Sequence, residues 1–117
     1  MPGKDYRDLI AWKKAFELAL AIYEKTTHFP VEERYGITAQ IRKAGISIPS
    51  NIAEGEGRRS RKEFRHFLFI SLGSLMEVET QILISDALGY FKPDQAAKLM
   101  ARTAEVGRLL NGLSKSL

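Results

Sequence analysis

The sequence has no cysteine and only two histidines among its 117 residues. Without thiols it cannot form disulfides, thiolate metal sites or cysteine nucleophiles. A di-iron bundle would need a Glu-x-x-His motif on each of two helices, and Glu63–His66 is the one match. Neither a Gly-x-Ser-x-Gly motif nor a Walker-type glycine loop is present. We therefore expect no enzymatic activity, no bound metal and no cofactor.

Long hydrophobic runs are also missing. The most apolar run, residues 67–76, has ten residues, which is half of the roughly 20 that a membrane-spanning helix needs. The first five residues lack the apolar core of a signal peptide. A content of 44% hydrophobic and 27% charged residues is typical of soluble globular proteins. These features predict one soluble, cytoplasmic domain over residues 1–117.

Helical periodicity is the dominant pattern, and no segment shows the period of two that is typical of strands. Four segments, at about 9–25, 33–54, 60–88 and 93–113, repeat apolar residues every three or four positions. Because their connectors are short, they predict an all-α, up-down-up-down four-helix bundle. We expect Gly55 and Gly57 to end the second helix in a tight turn. The apolar stripe predicted for the first helix is Leu9, Trp12, Phe16, Ala19 and Tyr23.

The third segment has more apolar surface than one bundle core uses. One seam suits the core, and a second seam lies about 100° around the helix. Either this helix is the most buried one of an asymmetric monomer, or it also packs against another subunit. The second alternative is favoured, because an exposed apolar row would be a sticky patch. The core seam is Phe64, Leu68, Ser71, Leu75, Val78 and Ile82, and the predicted oligomer interface is Phe69, Met76 and Leu83.

Positive charge is concentrated in residues 58–66. This run holds five Arg/Lys and one Glu, a balance of +4 that equals the net charge of the whole chain. Ser60 and Glu63 match a capping box, which places the run at the start of the third helix. Cations there oppose the helix dipole, whereas guanidinium groups and free backbone N–H groups suit a phosphate. The predicted nucleic-acid contacts are Arg58, Arg59, Arg61, Lys62 and Arg65.

Two alternatives remain for this charge. The run could be a solvated surface balanced by Glu54, Glu56 and Glu63, or it could dock an acidic protein partner. Arg42 and Lys43 add a second basic patch several helical turns away. Because the aromatic residues fall mostly on core seams, we expect no stacking platform for single-stranded bases.

Several short motifs resemble those of one bacterial family. They are Ser-Ile-Pro-Ser-Asn-Ile-Ala-Glu-Gly at residues 47–55, Gly-Ser-Leu-Met-Glu-Val-Glu at 73–79, and Trp-Lys-Lys-Ala at 12–15. With them the chain resembles the 23S rRNA intervening-sequence proteins over most of its length. That resemblance implies a four-helix bundle assembled as a homopentamer, with no established biochemical role. It also implies a relation in fold to the accessory protein of diversity-generating retroelements, which is thought to bind nucleic acid. Lys43 stands where the family usually has arginine, which should weaken bidentate contacts.

Overall fold

The four helical segments predicted from the sequence are all present. The computed structural model describes residues 5–117, in which the helices are α1 (Ile10–Lys25), α2 (Ile37–Gly57), α3 (Arg61–Ala87) and α4 (Gln95–Lys115). Each helix contacts two others, in the pairs α1–α2, α2–α3, α3–α4 and α1–α4. The predicted all-α four-helix bundle is confirmed. Residues 1–4, which the signal-peptide prediction included, lie outside the described part.

The core is one cluster of aliphatic side chains to which all four helices contribute. The predicted core seam of α3 is buried along its whole length. The buried residues of α4 are Ala96, Leu99, Thr103, Val106 and Leu110. This burial follows from the spacing of three and four residues, which keeps one side of each helix toward its neighbours. The largest fully buried side chains include Leu18, Ile22, Ile41, Ile48, Ile52, Leu68, Leu75, Ile82, Leu99 and Leu110.

The inward side of α1 differs from the predicted stripe. Its buried residues are Ala11, Ala15, Leu18, Ala19 and Ile22. Phe16 and Tyr23, which were predicted to be buried, are 44% and 40% exposed. Three alanines on the inward side leave room for α2, and Gly45 of α2 makes room for Ile22, since a Cβ on Gly45 would lie 2.8 Å from Ile22 Cδ1. The larger aromatic side chains are therefore left on an outer surface.

Both ends of α2 also differ from the prediction. The helix starts at Ile37 rather than near residue 33, because Val31–Glu33 forms a short 3-10 helix first. It continues to Gly57, so Gly55 and Gly57 are helical and do not make the turn. Gly55 serves packing instead, since a Cβ there would lie 2.7 Å from Phe67 Cβ on α3.

Polar side chains link α2 and α3 around Pro49, which lies inside α2. The Ser47 and Ser74 hydroxyls are 2.8 Å apart, and Ser71 Oγ donates to the Ile48 carbonyl at 2.9 Å. Asn51 Nδ2 donates to the Ser47 carbonyl at 2.8 Å. Buried polar groups that are paired in this way fix the register between two otherwise apolar helices.

The second seam of α3 is exposed in the isolated chain. Phe69 is 75% exposed, Met76 50% and Leu83 56%. By length and composition, Arg61–Ala87 also qualifies as a membrane-spanning helix, with a mean hydropathy of 1.5 over 18 residues, of which a third are buried. A core helix of a soluble bundle meets the same criterion, and the other seam of α3 is packed against the bundle. The exposed seam therefore lacks a partner within residues 5–117.

Candidate nucleic-acid interface

The basic run lies at the turn between α2 and α3. Arg58 closes α2, Arg59 has a left-handed backbone (φ 59°), and Ser60 begins α3 as its N-cap. Ser60 Oγ accepts the Glu63 backbone N–H at 3.3 Å. The second bond of the predicted capping box is absent among the described contacts, because the Glu63 carboxylate lies 3.7 Å from Arg58 instead.

Arg58 holds this turn together. Its guanidinium donates to Glu54 Oε2 at 2.8 Å and lies 5.1 Å from the centre of the Phe67 ring. With Glu63 on α3 as a second partner, it links both helices across the turn. Its charge is therefore already paired with two carboxylates of the fold, which leaves it a secondary contact for an external anion.

Of the two arginines in the turn, Arg59 is the more available to an external anion. Its guanidinium is largely exposed and lies 3.8 Å from Glu56, a carboxylate whose residue is only 6% exposed. Because the Glu56 carboxylate is buried, Arg59 offsets part of the cost of that buried charge. The positive φ costs about 1 kcal/mol for a residue other than glycine. Arg59 thus combines a strained backbone with an exposed guanidinium beside a buried carboxylate.

Three cations in the first turns of α3 are free. Arg61, Lys62 and Arg65 are exposed, and in residues 5–117 none of them forms an ion pair. At 3.6 residues per turn they lie within an arc of about 100°. The same helical periodicity places these three cations on the side of α3 that carries the exposed seam with Phe69 and Met76.

Arg42 and Lys43 lie toward the opposite end of α2, and they differ in role. Arg42 Nε donates to Thr26 Oγ1 at 2.9 Å and Nη2 to the Tyr23 carbonyl at 3.3 Å. Its guanidinium also stacks over the Tyr23 ring, 4.5 Å from the ring centre. Because Thr26 is the C-cap of α1, Arg42 ties the end of α1 to α2. Lys43 is exposed, without an ion pair in the described part of the chain.

A groove of about 570 Å³ surrounds these residues, and the sequence analysis did not identify it. It lies between the end of α1, the connector and the start of α2. Tyr35 is 87% exposed there, which makes it one of the aromatic residues that lie outside the core seams. The available signal was the pair Arg34-Tyr35 in an interhelical connector between Pro30 and Gly36.

Two features at this end of the bundle involve Glu33. The Tyr90 hydroxyl donates to Glu33 Oε2 at 2.8 Å, and this hydrogen bond to a carboxylate raises the pKa of Tyr90. The other oxygen accepts the Ile37 N–H at 3.4 Å.

In residues 5–117 no group of three or more His, Asp or Glu side chains could hold a metal ion, and the carboxylate of Glu63 faces Arg58.

Comparison with known proteins gives a consistent picture. The structure is similar to that of a Bacteroides thetaiotaomicron protein of unknown function from the S23 ribosomal protein family. The TM-score is 0.83 at 26% identity, covering 91% of this chain and 96% of the other. No curated protein matches the chain. The model of the 23S rRNA-intervening sequence protein family matches residues 7–112. The chain therefore belongs to the 23S rRNA-intervening sequence protein family.

Proposed function

We propose that this protein is a non-enzymatic, homo-oligomeric bundle of the cytoplasm that binds RNA or DNA through phosphate contacts. The observation that carries the proposal is the group of free cations on α3, Arg61, Lys62 and Arg65. The α3 N-terminus is already the positive end of the helix dipole, so a sequence selected for stability alone would favour acidic residues there. Neither the family nor the similar structure is described by an enzymatic activity.

The contacts would be to the sugar–phosphate backbone. Arginine and lysine on an exposed helix end can reach phosphate oxygens, and Arg59 in the adjoining turn extends the same surface. Arg58 contributes less, because Glu54 and Glu63 already neutralise it. Backbone contacts carry no sequence information, so we expect weak sequence preference and strong salt dependence.

Self-association is supported by two different apolar surfaces. One is the exposed seam of α3 with Phe69, Met76 and Leu83. The other is a groove of about 520 Å³ between α1 and α2, lined by apolar residues that include Phe16 and Leu20. Because α1 and α3 do not touch within the bundle, the two surfaces lie on different sides. A contact between unlike surfaces is heterologous, and it closes into a ring when the rotation allows.

A ring agrees with the homopentamer that the family resemblance implies. Each subunit would place its free cations beside an interface, since they share one side of α3 with the exposed seam. A closed assembly would repeat the free cations once per subunit. A nucleic acid bound to one subunit would then meet the cations of the next at a high effective concentration, which raises the overall affinity.

The test is an electrophoretic mobility shift with a structured RNA and a duplex DNA, measured at several salt concentrations. We expect binding at low salt that weakens steeply as salt rises. Reversing Arg61, Lys62 and Arg65 to Glu should abolish it. The matched control reverses three exposed cations elsewhere, Lys92, Lys98 and Arg108, for the same change in charge.

Two results would contradict the proposal. One is the absence of any shift at low salt, which would leave an acidic protein surface as the partner for these cations. The other is equal loss of binding in the control variant, which would mean that overall charge and not this surface attracts the nucleic acid.

A further inference from the structure

A second site lies at the other end of α2 from the basic turn. It is the groove of about 570 Å³ described above, which we call the connector groove and define by Tyr23, Arg34, Tyr35, Thr38 and Lys43. Its volume falls in the range of about 300–1,000 Å³ that is usual for small-ligand sites. Lys43 and Arg58 are 15 positions apart on α2, so about 22 Å of helix separates the groove from the basic turn.

The connector groove is positively charged. Arg34, Arg42 and Lys43 line it, and no carboxylate is among its lining residues. The nearby Glu33 carboxylate is not part of this lining, and its oxygens accept hydrogen bonds from Tyr90 and from the Ile37 backbone. The charge of the groove therefore selects an anion.

Aromatic surface is the second property. Tyr35 is 87% exposed, and the Arg34 guanidinium lies 5.1 Å from its ring centre. Tyr23 is 40% exposed, with Arg42 held 4.5 Å from its ring centre by two hydrogen bonds. Each exposed ring presents a flat π-face, as the platforms that stack nucleobases do. The ligand is therefore expected to be planar and aromatic as well as anionic.

A buried hydroxyl provides the third observation. Thr38 lines the groove and is 8% exposed, yet its Oγ1 is buried without a hydrogen-bond partner in the described structure. Buried hydroxyls are nearly always paired, because an unpaired one loses its hydration without compensation. A turn of the Thr38 side chain toward the groove would let a polar atom of a ligand supply the missing partner.

We propose that the connector groove binds an unpaired nucleotide, either free or within a single strand. The base stacks on Tyr35, the phosphate lies near Arg34 and Lys43, and the Thr38 hydroxyl bonds a polar atom of the ligand. Arg42 is a positioning residue that holds the Tyr23 ring. This proposal is independent of the backbone binding assigned to the basic turn.

The test is isothermal titration calorimetry at low salt with four probes: adenosine monophosphate, adenosine, inorganic phosphate and a short single-stranded oligoadenylate. We expect adenosine monophosphate or the oligoadenylate to bind more tightly than adenosine or phosphate, since base and phosphate are both recognised. Tight binding of the mononucleotide identifies a free nucleotide as the ligand, and binding of the oligoadenylate alone identifies a strand. The proposal is overturned if neither adenosine monophosphate nor the oligoadenylate binds. It is also overturned if inorganic phosphate alone binds as tightly as they do.

Substitutions of residues that line the groove test whether the ligand binds there. Tyr35→Ala should weaken it by at least about fivefold, the lower end of a base-stacking contribution, and Lys43→Gln should weaken it while its control Lys92→Gln does not. Thr38→Val should weaken binding yet leave the thermal midpoint unchanged or higher, because it removes an unpaired hydroxyl. Unchanged binding in Tyr35→Ala overturns the proposal.

The two proposed sites can fail separately. The triple variant of Arg61, Lys62 and Arg65 should still bind adenosine monophosphate or the oligoadenylate through Tyr35. Conversely, Tyr35→Ala should retain the mobility shift with duplex DNA, whose bases are not available for stacking. Loss of mononucleotide binding in the triple variant would overturn the separate groove.

Discussion

Gly55 on α2 and Phe67 on α3 are in such close contact that a Cβ added to the glycine would lie 2.7 Å from the Cβ of the phenylalanine. The same added carbon would lie 3.3 Å from the Phe64 backbone carbonyl oxygen. Neither neighbour is the flexible end of a side chain. The separation of the two helices just before the basic turn is therefore set by the absence of a side chain at residue 55.

Gly55→Ala should for this reason destabilise the fold. We expect a loss of about 1–3 kcal/mol in the free energy of unfolding, as in other overpacked cores. Gly57→Ala is the control, because a Cβ there meets no atom within 4 Å; it should gain up to about 1 kcal/mol from the better helix propensity of alanine. Urea denaturation of both variants measures the difference. Equal stabilities would contradict the close contact.

Arg42 and Lys43 are neighbours in sequence that should respond differently to the same substitution. Arg42→Met removes two hydrogen bonds and the stacking on Tyr23, so it should cost about 1–2 kcal/mol of stability. Lys43→Met removes an exposed charge and should cost less than about 0.5 kcal/mol. Thermal denaturation monitored by circular dichroism gives both values. If Lys43→Met proved the more harmful, the assignment of Arg42 to the end of α1 would be wrong.

Arg59 allows the effect of its backbone to be separated from that of its charge. Arg59→Gly and Arg59→Ala both delete the guanidinium, but only glycine adopts φ 59° without strain. The glycine variant should be more stable than the alanine variant by about 1 kcal/mol. Both should bind nucleic acid equally, and more weakly than the original chain. A difference in binding between them would show that the turn conformation, and not the charge, determines the contact.

The proposed heterologous interface can be tested with two variants that each damage one surface. Phe69→Glu changes the exposed seam of α3, and Phe16→Glu changes the groove between α1 and α2. Each variant alone should be monomeric by multi-angle light scattering. An equimolar mixture should form dimers, because one subunit keeps an intact seam and the other an intact groove. Val31→Glu, at a similarly exposed apolar residue, is the control and should assemble normally.

A different outcome in the mixture would change the interface assignment. A mixture that stays monomeric would contradict the contact between seam and groove. Self-association of either variant alone would indicate that like surfaces meet, since each variant keeps one of the two surfaces intact. A monomeric original chain would contradict self-association altogether.

Periodicity was sufficient to predict the bundle, because each helix repeats apolar residues often enough to identify its buried side. It failed on α1, where apolar residues occupy two adjoining sides. The buried side there is the one with Ala11 and Ala15, whose small size permits close packing. Which side of α1 is buried depends on the shape of the opposing helix, including Gly45, and the local sequence of α1 carries no information about that shape.

The candidate sites show the same limit. The basic run was visible as charge, but which of its members are free depends on where Glu54 and Glu63 lie after folding. Arg42 was expected on a basic surface, and its contact with Thr26 joins residues 16 positions apart. The sequence offered only the pair Arg34-Tyr35 as a signal for the connector groove, because its other residues, such as Tyr23, lie on different elements and come to line one groove only in the folded chain.

The closed ring of contacts among the four helices has a consequence for the order of folding. Three of its four pairs join helices that follow each other in the chain, so each of these pairs can form after closing only a short loop. The pair α1–α4 alone joins distant segments, and its loop entropy is smallest when the other pairs have already formed. A chain with mainly local contacts of this kind belongs to the fast-folding topologies, and docking of α1 on α4 is its natural final step.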